Sequence, residues 1–251
     1  MATPKELTRR LARFLGYEIV NARAEMHATH LRELFARVGV NCAIDVGAHR
    51  GEYGSFLRKT VGYRGKLVSF EPVVNNFAQL ERMSDRDREW AAYRLALGVR
   101  EEQLSIVVPR LTTLASFSPT TASARSIFGD LAGANEREIV EVRRLDRILT
   151  ELLAQFPSPR LFVKVDTQGW DRHVLEGAEA WWPRIVSVQT EVSVTALYEK
   201  SWNFEEAMKF MSELGFVATG IYPAARDDQL RLLELDVVFA RPSSRAARVY
   251  H

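Results

Sequence analysis

The chain has 251 residues, which suits one large α/β domain with a full core and is short for two independent ones. Hydrophobic residues make up 47% and charged residues 26%, and the formal net charge is only +2, so nothing global calls for a nucleic acid or an anionic membrane as partner. The single cysteine, Cys42, excludes an internal disulfide and a cysteine-held zinc site, and its place at the head of an apolar run marks it as a buried small hydrophobe.

The N-terminal stretch lacks the uninterrupted apolar segment of a secretory signal, and no run reaches the roughly 18 apolar residues that span a bilayer. A cytoplasmic location is therefore expected. Residues 1–38 read as helical and rich in arginine, with Leu7, Leu11, Phe14 and Leu15 on one face. That face is predicted to pack on the main domain or on a second subunit, which would give a homo-oligomer. Gly39 ends the second helix, which begins near residue 25. Residues 1–39 are thus expected to form a helical N-terminal extension.

From Cys42 onward, short apolar runs alternate with amphipathic stretches. Strands are expected over Cys42–Val46, Lys66–Phe70, Ala92–Leu97, Leu161–Val165, Val186–Thr190, Phe216–Ile221 and Leu235–Ala240. Helices are expected over Glu52–Lys59, Val74–Arg82, Trp170–Ala180 and Phe204–Leu214. This alternation implies an α/β fold with a mostly parallel sheet and right-handed crossovers. Only a short polar segment around Arg226-Asp227-Asp228 joins the last two strands, too little for a helical return, so that pair should be antiparallel.

Residues 99–145 break the rhythm. Gln103–Val108 and Ile139–Arg143 read as strands flanking a Ser/Thr-rich stretch too long for a plain connection, either a loop over the active site or an irregular excursion. The main domain is expected over 40–242, with 99–145 as inserted strands and substrate loop, and a tail over 243–251.

In such a sheet ligands bind beyond the C-terminal ends of the strands, so polar residues closing apolar strands carry the chemistry. AIDVGAHRGEYG spaces Gly47, Gly51 and Gly54 two residues wider than the dinucleotide fingerprint G-x-G-x-x-G, and no Gly-Lys-Ser/Thr follows as a phosphate loop requires. Glu71, closing LVSFEP about 20 residues further on, can accept both hydroxyls of a ribose. In FVKVDTQGWDRHVLEGA, Lys164 is a charge within an apolar strand, costly unless paired, and Asp166 at the strand end is within reach. Glu191 closes the next strand; two acids at adjacent strand ends can share a proton, bind a cation, or act as acid and base.

In order, AIDVGAHRGEYG, LVSFEP, LFVKVDTQGWDRHVLEGA and VQTEVSVTALYEKSWNFEEAMKFMSELGF resemble the FkbM family of S-adenosylmethionine-dependent methyltransferases, as do RRLDRIL and the final LLELDVVFAR. The resemblance spans residues 41 to 241 and leaves out the helical N-terminus. It implies a Rossmann-like class I fold, a seven-stranded mostly parallel sheet with an antiparallel last strand. It implies S-adenosyl-L-methionine as methyl donor and a hydroxyl of a sugar or secondary metabolite as acceptor; the sequence carries no basic-aromatic RNA-reading segment, so no nucleic acid partner is expected. On that resemblance the donor is held by Asp45, Gly47, Ala48, Gly51, Tyr53, Glu71, Pro72, Ala96, Leu97 and Asp166.

Asp166 or Glu191 would act as base with Lys164 orienting, and His49 stands next in line. Ser116, Ser118, Gln168 and Tyr198 would meet the acceptor, and a divalent metal bridging the carboxylates to a diol is a lesser possibility. The family commonly has K-x-D-x-E-G where this chain has Lys164-Val165-Asp166-Thr167-Gln168-Gly169, and an amide cannot serve as a base. It also often has Asn or another small polar residue where His49 stands. Competing readings are an N-methyltransferase, disfavoured because Asp166-Thr167-Gln168-Gly169 replaces the Asn/Asp-Pro-Pro-Tyr/Phe of such enzymes, a binding scaffold without catalysis, and a nicotinamide oxidoreductase, disfavoured by the glycine spacing. His173, on the helix after Gly169, is expected to face away from the site or to pack, and His27, His30 and His251 carry no signal.

Overall fold

Ten strands and seven α-helices make up the computed structural model, which describes residues 22–129, 134–199 and 201–242. The predicted face of Leu7, Leu11, Phe14 and Leu15 and the 243–251 tail lie outside the described residues. In chain order the elements are α1 (Ala22–Val38), β1 (Cys42–Val46), α2 (Glu52–Phe56), β2 (Lys66–Phe70), α3 (Val74–Ser84), β3 (Trp90–Tyr93), β4 (Ala96–Gly98) and β5 (Glu102–Pro109). Then follow α4 (Ala122–Phe128), β6 (Ala134–Arg144), α5 (Leu145–Leu152), β7 (Leu161–Val165), α6 (Asp171–Glu176), β8 (Ile185–Ser193), α7 (Phe204–Glu213), β9 (Val217–Arg226) and β10 (Leu232–Ala240).

The main sheet has the strand order β3-β2-β1-β7-β8-β10-β9. All neighbours run parallel except β10, which is antiparallel to both β8 and β9. The fold is thus the expected mixed α/β sheet with an antiparallel final hairpin. Strand order reverses between β1 and β7, which opens a crevice above their C-terminal ends.

Alternation along each strand sorts side chains onto two faces. Cys42, Ile44 and Val46 of β1 with Val163 and Val165 of β7 pack with Leu149 of α5, Val174 and Leu175 of α6 and Met211 of α7. On the other face Ala43, Leu67 and Phe162 pack with Leu31 and Phe35 of α1, Leu57 and Leu80. The described part of the expected extension, α1, is therefore built into the sheet's own core. One row on this face is polar: Ser69, Asp45, Lys164 and Gln189 stand in register on β2, β1, β7 and β8.

Several elements differ from the sequence pattern. The run Ala92–Leu97 divides, β3 ending the main sheet and β4 joining β6 and β5 in a separate three-stranded sheet. α2 continues into a π turn over Leu57–Val61. The helix expected to reach Ala180 stops at Glu176 and is followed by a 3-10 turn over Glu179–Arg184; Gly177 between them lies against the Gly98 carbonyl, where a Cβ would meet the oxygen at 2.2 Å. α7 begins where expected, held by a capping box in which Asn203 accepts from the Glu206 amide and the Glu206 carboxylate accepts from the Asn203 amide, both at 2.9 Å.

Candidate active site

Two adjoining cavities open above the C-terminal ends of β1, β2, β7 and β8. The first, about 280 Å³, has apolar walls from Pro72, Leu95, Ala96, Leu97, Ile106 and Phe117 and a polar end made by Gly47, Glu71 and Asp166. Gly47 has φ 74°, and a Cβ there would meet the Asp166 carbonyl oxygen at 1.9 Å, so the loop leaving β1 can lie against the loop leaving β7 only without a side chain.

Glu71 is buried at the cavity wall. Its Oε2 accepts from the His49 amide at 2.9 Å, and its Oε1 accepts from the Val73 amide at 3.0 Å and from the Asn76 side chain at 3.4 Å. Burial outweighs these bonds and pushes its pKa up to about 7. The turn is set by His49 itself, at φ 49°. Its Nε2 meets the Thr112 hydroxyl at 2.9 Å and its Nδ1 the Glu52 carboxylate at 3.3 Å. Burial lowers the His49 pKa, against the opposing pull of Glu52, and favours the neutral imidazole.

Lys164 is the cation of the site. Its Nζ lies 3.3 Å from Asp45, 3.4 Å from Asp166 and 3.2 Å from the Gly47 carbonyl, and 5.2 Å from the centroid of the Tyr53 ring. Burial opposes its charge, but Asp166, Asp45 and Asp236 outweigh burial and raise its pKa. Asp45 is fully buried beneath it and accepts from the Ser69 hydroxyl at 3.3 Å.

Beside Asp166 the Gln168 amide bridges two acids. Its Nε2 donates to Asp166 at 2.8 Å and to Glu191 at 2.9 Å, while its Oε1 accepts from the Tyr198 hydroxyl at 2.7 Å. Glu191 is raised well above the usual carboxylate range by burial and then by Asp166, Glu234, Asp236 and Asp171. Burial first, and then Asp166, lifts Asp171 to about 7 and Glu234 to about 8. Among the described residues no group of three or more His, Cys, Asp or Glu side chains is arranged to hold a metal ion.

The second cavity, about 580 Å³, lies on the α1 side. It shares Gly47, His49, Thr113 and Asp166 with the first and is otherwise lined by Ala48 and by residues of α1, α2, β7, β8, β9 and β10. At its floor Gln189 Oε1 accepts from the Tyr53 hydroxyl at 2.7 Å and meets His27 Nε2 at 3.0 Å, and Gln189 Nε2 donates to Asp236 at 3.2 Å.

The sequence-derived site residues thus divide. Gly47, His49, Glu71, Pro72, Ala96, Leu97, Asp166, Gln168 and Glu191 line the first cavity. Ala48, Tyr53 and Lys164 line the second. Asp45 lies below Lys164, outside the lining of either. Gly51 is buried with Leu80, Met83 and Trp90 around it, which makes it a packing position for α2 and α3. Ser116, Ser118 and Tyr198 are buried behind Gln168: the Ser116 hydroxyl donates to the Gln168 carbonyl at 2.6 Å and accepts from the Ser118 amide at 3.0 Å. They stiffen the wall and do not face either space. Of the Ser/Thr-rich segment, Thr112, Thr113, Ala115 and Phe117 line the first cavity.

Gln189, Asp236, His27 and Tyr222, none of them expected at the site, also line the second cavity. Gln189 and Asp236 carried the same signal as Lys164, a polar side chain inside an apolar strand, whereas His27 on an amphipathic helix carried none. His173 stacks on Trp170, ring centroids 3.8 Å apart, and Trp170 in turn donates to the Leu97 carbonyl at 3.1 Å.

Residues 45–218, more than half of the chain, match the Methyltransferase FkbM domain family. Among solved structures, the FkbM methyltransferase from Methylobacillus flagellatus KT aligns with a TM-score of 0.52 at 14% identity, over 80% of this chain and 43% of that one. The chain therefore spans less than half the length of that protein, and the likeness is one of fold. Looser alignments include magnesium protoporphyrin IX methyltransferase from Synechocystis PCC 6803 with bound SAM (TM-score 0.46, 7% identity, 96% and 99% of the two chains). Another is Aeropyrum pernix fibrillarin in complex with S-adenosyl-L-methionine (0.45, 11%, 87% and 76%). No curated protein matches the sequence. No helix among the described residues is long and apolar enough to cross a membrane.

Proposed function

This chain belongs to the FkbM methyltransferase family, and from that premise we propose that it moves a methyl group from S-adenosylmethionine to a hydroxyl oxygen of a sugar or secondary metabolite. The observation that carries this reading is the first cavity: a buried carboxylate, Glu71, and a glycine cradle at Gly47 share the polar end of a slot whose walls are otherwise apolar. Those are the features an adenosyl amino acid needs, an acceptor for the ribose diol, apolar walls for the base, and backbone close enough to meet the amino-acid end.

When bound, S-adenosylmethionine supplies an electrophilic methyl group on a sulfonium. Glu71 accepts from the ribose hydroxyls, Pro72, Ala96 and Leu97 flank the adenine, and Gly47 leaves room for the amino-acid end. Much of the barrier reduction in such an in-line displacement comes from alignment of the acceptor oxygen. The acceptor must also lose its proton, and Asp166 is the group best suited to take it. It lines both cavities, and it is held by Lys164 and by the Gln168 amide. Glu191 lines only the first cavity, and its carboxylate is turned to the Gln168 amide. His49 lines both cavities and is neutral, but its two nitrogens are engaged by Thr112 and Glu52.

Calorimetry with S-adenosylhomocysteine tests the first half of this assignment. Binding to the unaltered chain and its loss in Glu71→Ala are expected. For the second half, Asp166→Asn should retain that affinity within about twofold and lose methyl transfer by roughly 100-fold or more. Full turnover by Asp166→Asn would dismiss Asp166 as base.

A further inference from the structure

We propose that the second cavity is the acceptor chamber and that it takes an uncharged, hydroxylated ring. This inference rests on the methyl-transfer reading and assigns its other substrate. The two cavities meet at Gly47, His49, Thr113 and Asp166. Ligands filling both therefore face each other across the Asp166 carboxylate, the arrangement that an in-line transfer with proton removal requires. The volume, about 580 Å³, falls within the roughly 300–1,000 Å³ of small-molecule sites.

Its floor is a buried polar network where a sheet face is otherwise apolar. Lys164 and Gln189 stand in register on β7 and β8, each buried, and Tyr53 and His27 both engage the Gln189 carbonyl oxygen while Asp236 accepts from its amide. Such a set offers fixed donors and acceptors to several hydroxyls at once. Phe56 and Tyr222 supply apolar walls, with the His27 ring stacked on Tyr222 at 4.5 Å between centroids. An apolar flank beside a polar floor matches the two kinds of surface a hydroxylated ring presents.

Charge sets the class. Glu52, Asp166 and Asp236 line the space, and its one ammonium, Lys164, is committed to Asp45 and Asp166. A phosphate or carboxylate on the acceptor would meet uncompensated negative charge. Ser116, Ser118 and Tyr198 take no part in the choice, since they lie behind Gln168.

The test uses His27→Ala and Gln189→Leu in the full chain, with thermal melting to verify folding. Two nucleoside probes, S-adenosylhomocysteine and 5′-methylthioadenosine, are measured by calorimetry. Methyl transfer is measured on methyl glycosides and inositols and on their phosphates. Both nucleosides should bind both variants within about twofold of the unaltered chain, while KM for the accepted polyol rises roughly tenfold or more. Weakened S-adenosylhomocysteine with unchanged methylthioadenosine would place the donor's amino-acid end in this cavity and overturn the proposal. Turnover of the phosphates in preference to the neutral rings, or of neither, would overturn the acceptor class. Failure of both nucleosides to bind the unaltered chain would instead bring down the methyl-transfer reading itself.

Discussion

The Lys164 ammonium lies 3.3 Å from the carboxylate of Asp45, which has no exposed surface. The two residues face each other in register on β1 and β7, so the ion pair ties together the strands between which the crevice opens. Removing one partner of a buried pair leaves the other charge unpaired. Lys164→Met should therefore destabilise the fold by about 3–5 kcal/mol, while the double variant Asp45→Asn/Lys164→Met should recover most of that loss. Urea unfolding of the single and double variants measures the coupling. Additive losses would mean that the two charges do not depend on each other.

Glu71 gives the donor site a pH dependence with a definite sign. A carboxylate can accept from two ribose hydroxyls, and a protonated carboxyl gives up one of those acceptor positions. With its pKa near about 7 in the free protein, Glu71 loses its proton as pH rises through neutrality. Affinity for S-adenosylhomocysteine should then rise between pH 6 and 8, approaching a roughly tenfold gain per pH unit at its steepest. Glu71→Gln should bind more weakly and show no such slope. A flat profile in the unaltered chain would remove Glu71 from the ribose.

Much of this architecture is readable from residue order. The expected strands map onto β1, β2, β7, β8, β9 and β10, because short apolar runs closed by polar residues have few other solutions in an α/β chain. Glu71, Asp166 and Glu191 were legible for the same reason, each closing a run. Tertiary choices were not legible. Tyr93 and Ala96 are three residues apart yet belong to different sheets, and only the presence of β6 decides that. α5 is written in the sequence as well, since Leu145, Ile148, Leu149 and Leu152 repeat at helical spacing. Asp45 lies within β1 and is turned to Lys164 and Ser69, and Gly51 packs against Leu80, Met83 and Trp90. A motif identifies the loop; it does not say which of its side chains face the ligand.

The acid cluster makes stability fall with rising pH. Asp171, Glu71 and Glu234 have folded pKa values of about 7, 7 and 8, and Glu191 is also raised. Their unfolded values lie near about 4, so between those limits the folded chain holds protons the unfolded chain has released. The contribution is full below the unfolded values and is lost as pH rises through 7 to 8. Asp87 and Asp146, whose pKa values are lowered, act in the opposite sense only in the acid range. Calorimetric Tm should therefore be higher at pH 6 than at pH 8.5. Glu234→Gln should flatten the difference, and Gln168→Glu, which adds an acid between Asp166 and Glu191, should enlarge it. A Tm that climbs from pH 6 to 8.5 would contradict the assigned protonation.

Gly47 and Gly62 separate backbone strain from steric exclusion. Their φ values are nearly equal, 74° and 78°, so an alanine at either position suffers the same left-handed penalty, about 1–2 kcal/mol. Around Gly62 nothing lies within 4 Å of a new Cβ, whereas at Gly47 that atom would meet the Asp166 carbonyl oxygen at 1.9 Å. That oxygen belongs to backbone fixed by the Asp166 amide's bond to the Val46 carbonyl at 3.1 Å, so it cannot swing aside as a side chain could. Gly62→Ala should therefore lose only the strain energy and keep its affinity for S-adenosylhomocysteine. Gly47→Ala should lose at least about 2 kcal/mol more and, in whatever fraction still folds, bind the nucleoside poorly, because the β1 and β7 loops must part to admit the methyl. Equal Tm losses for the two variants, with equal nucleoside binding, would show that the close approach of these loops does not shape the site.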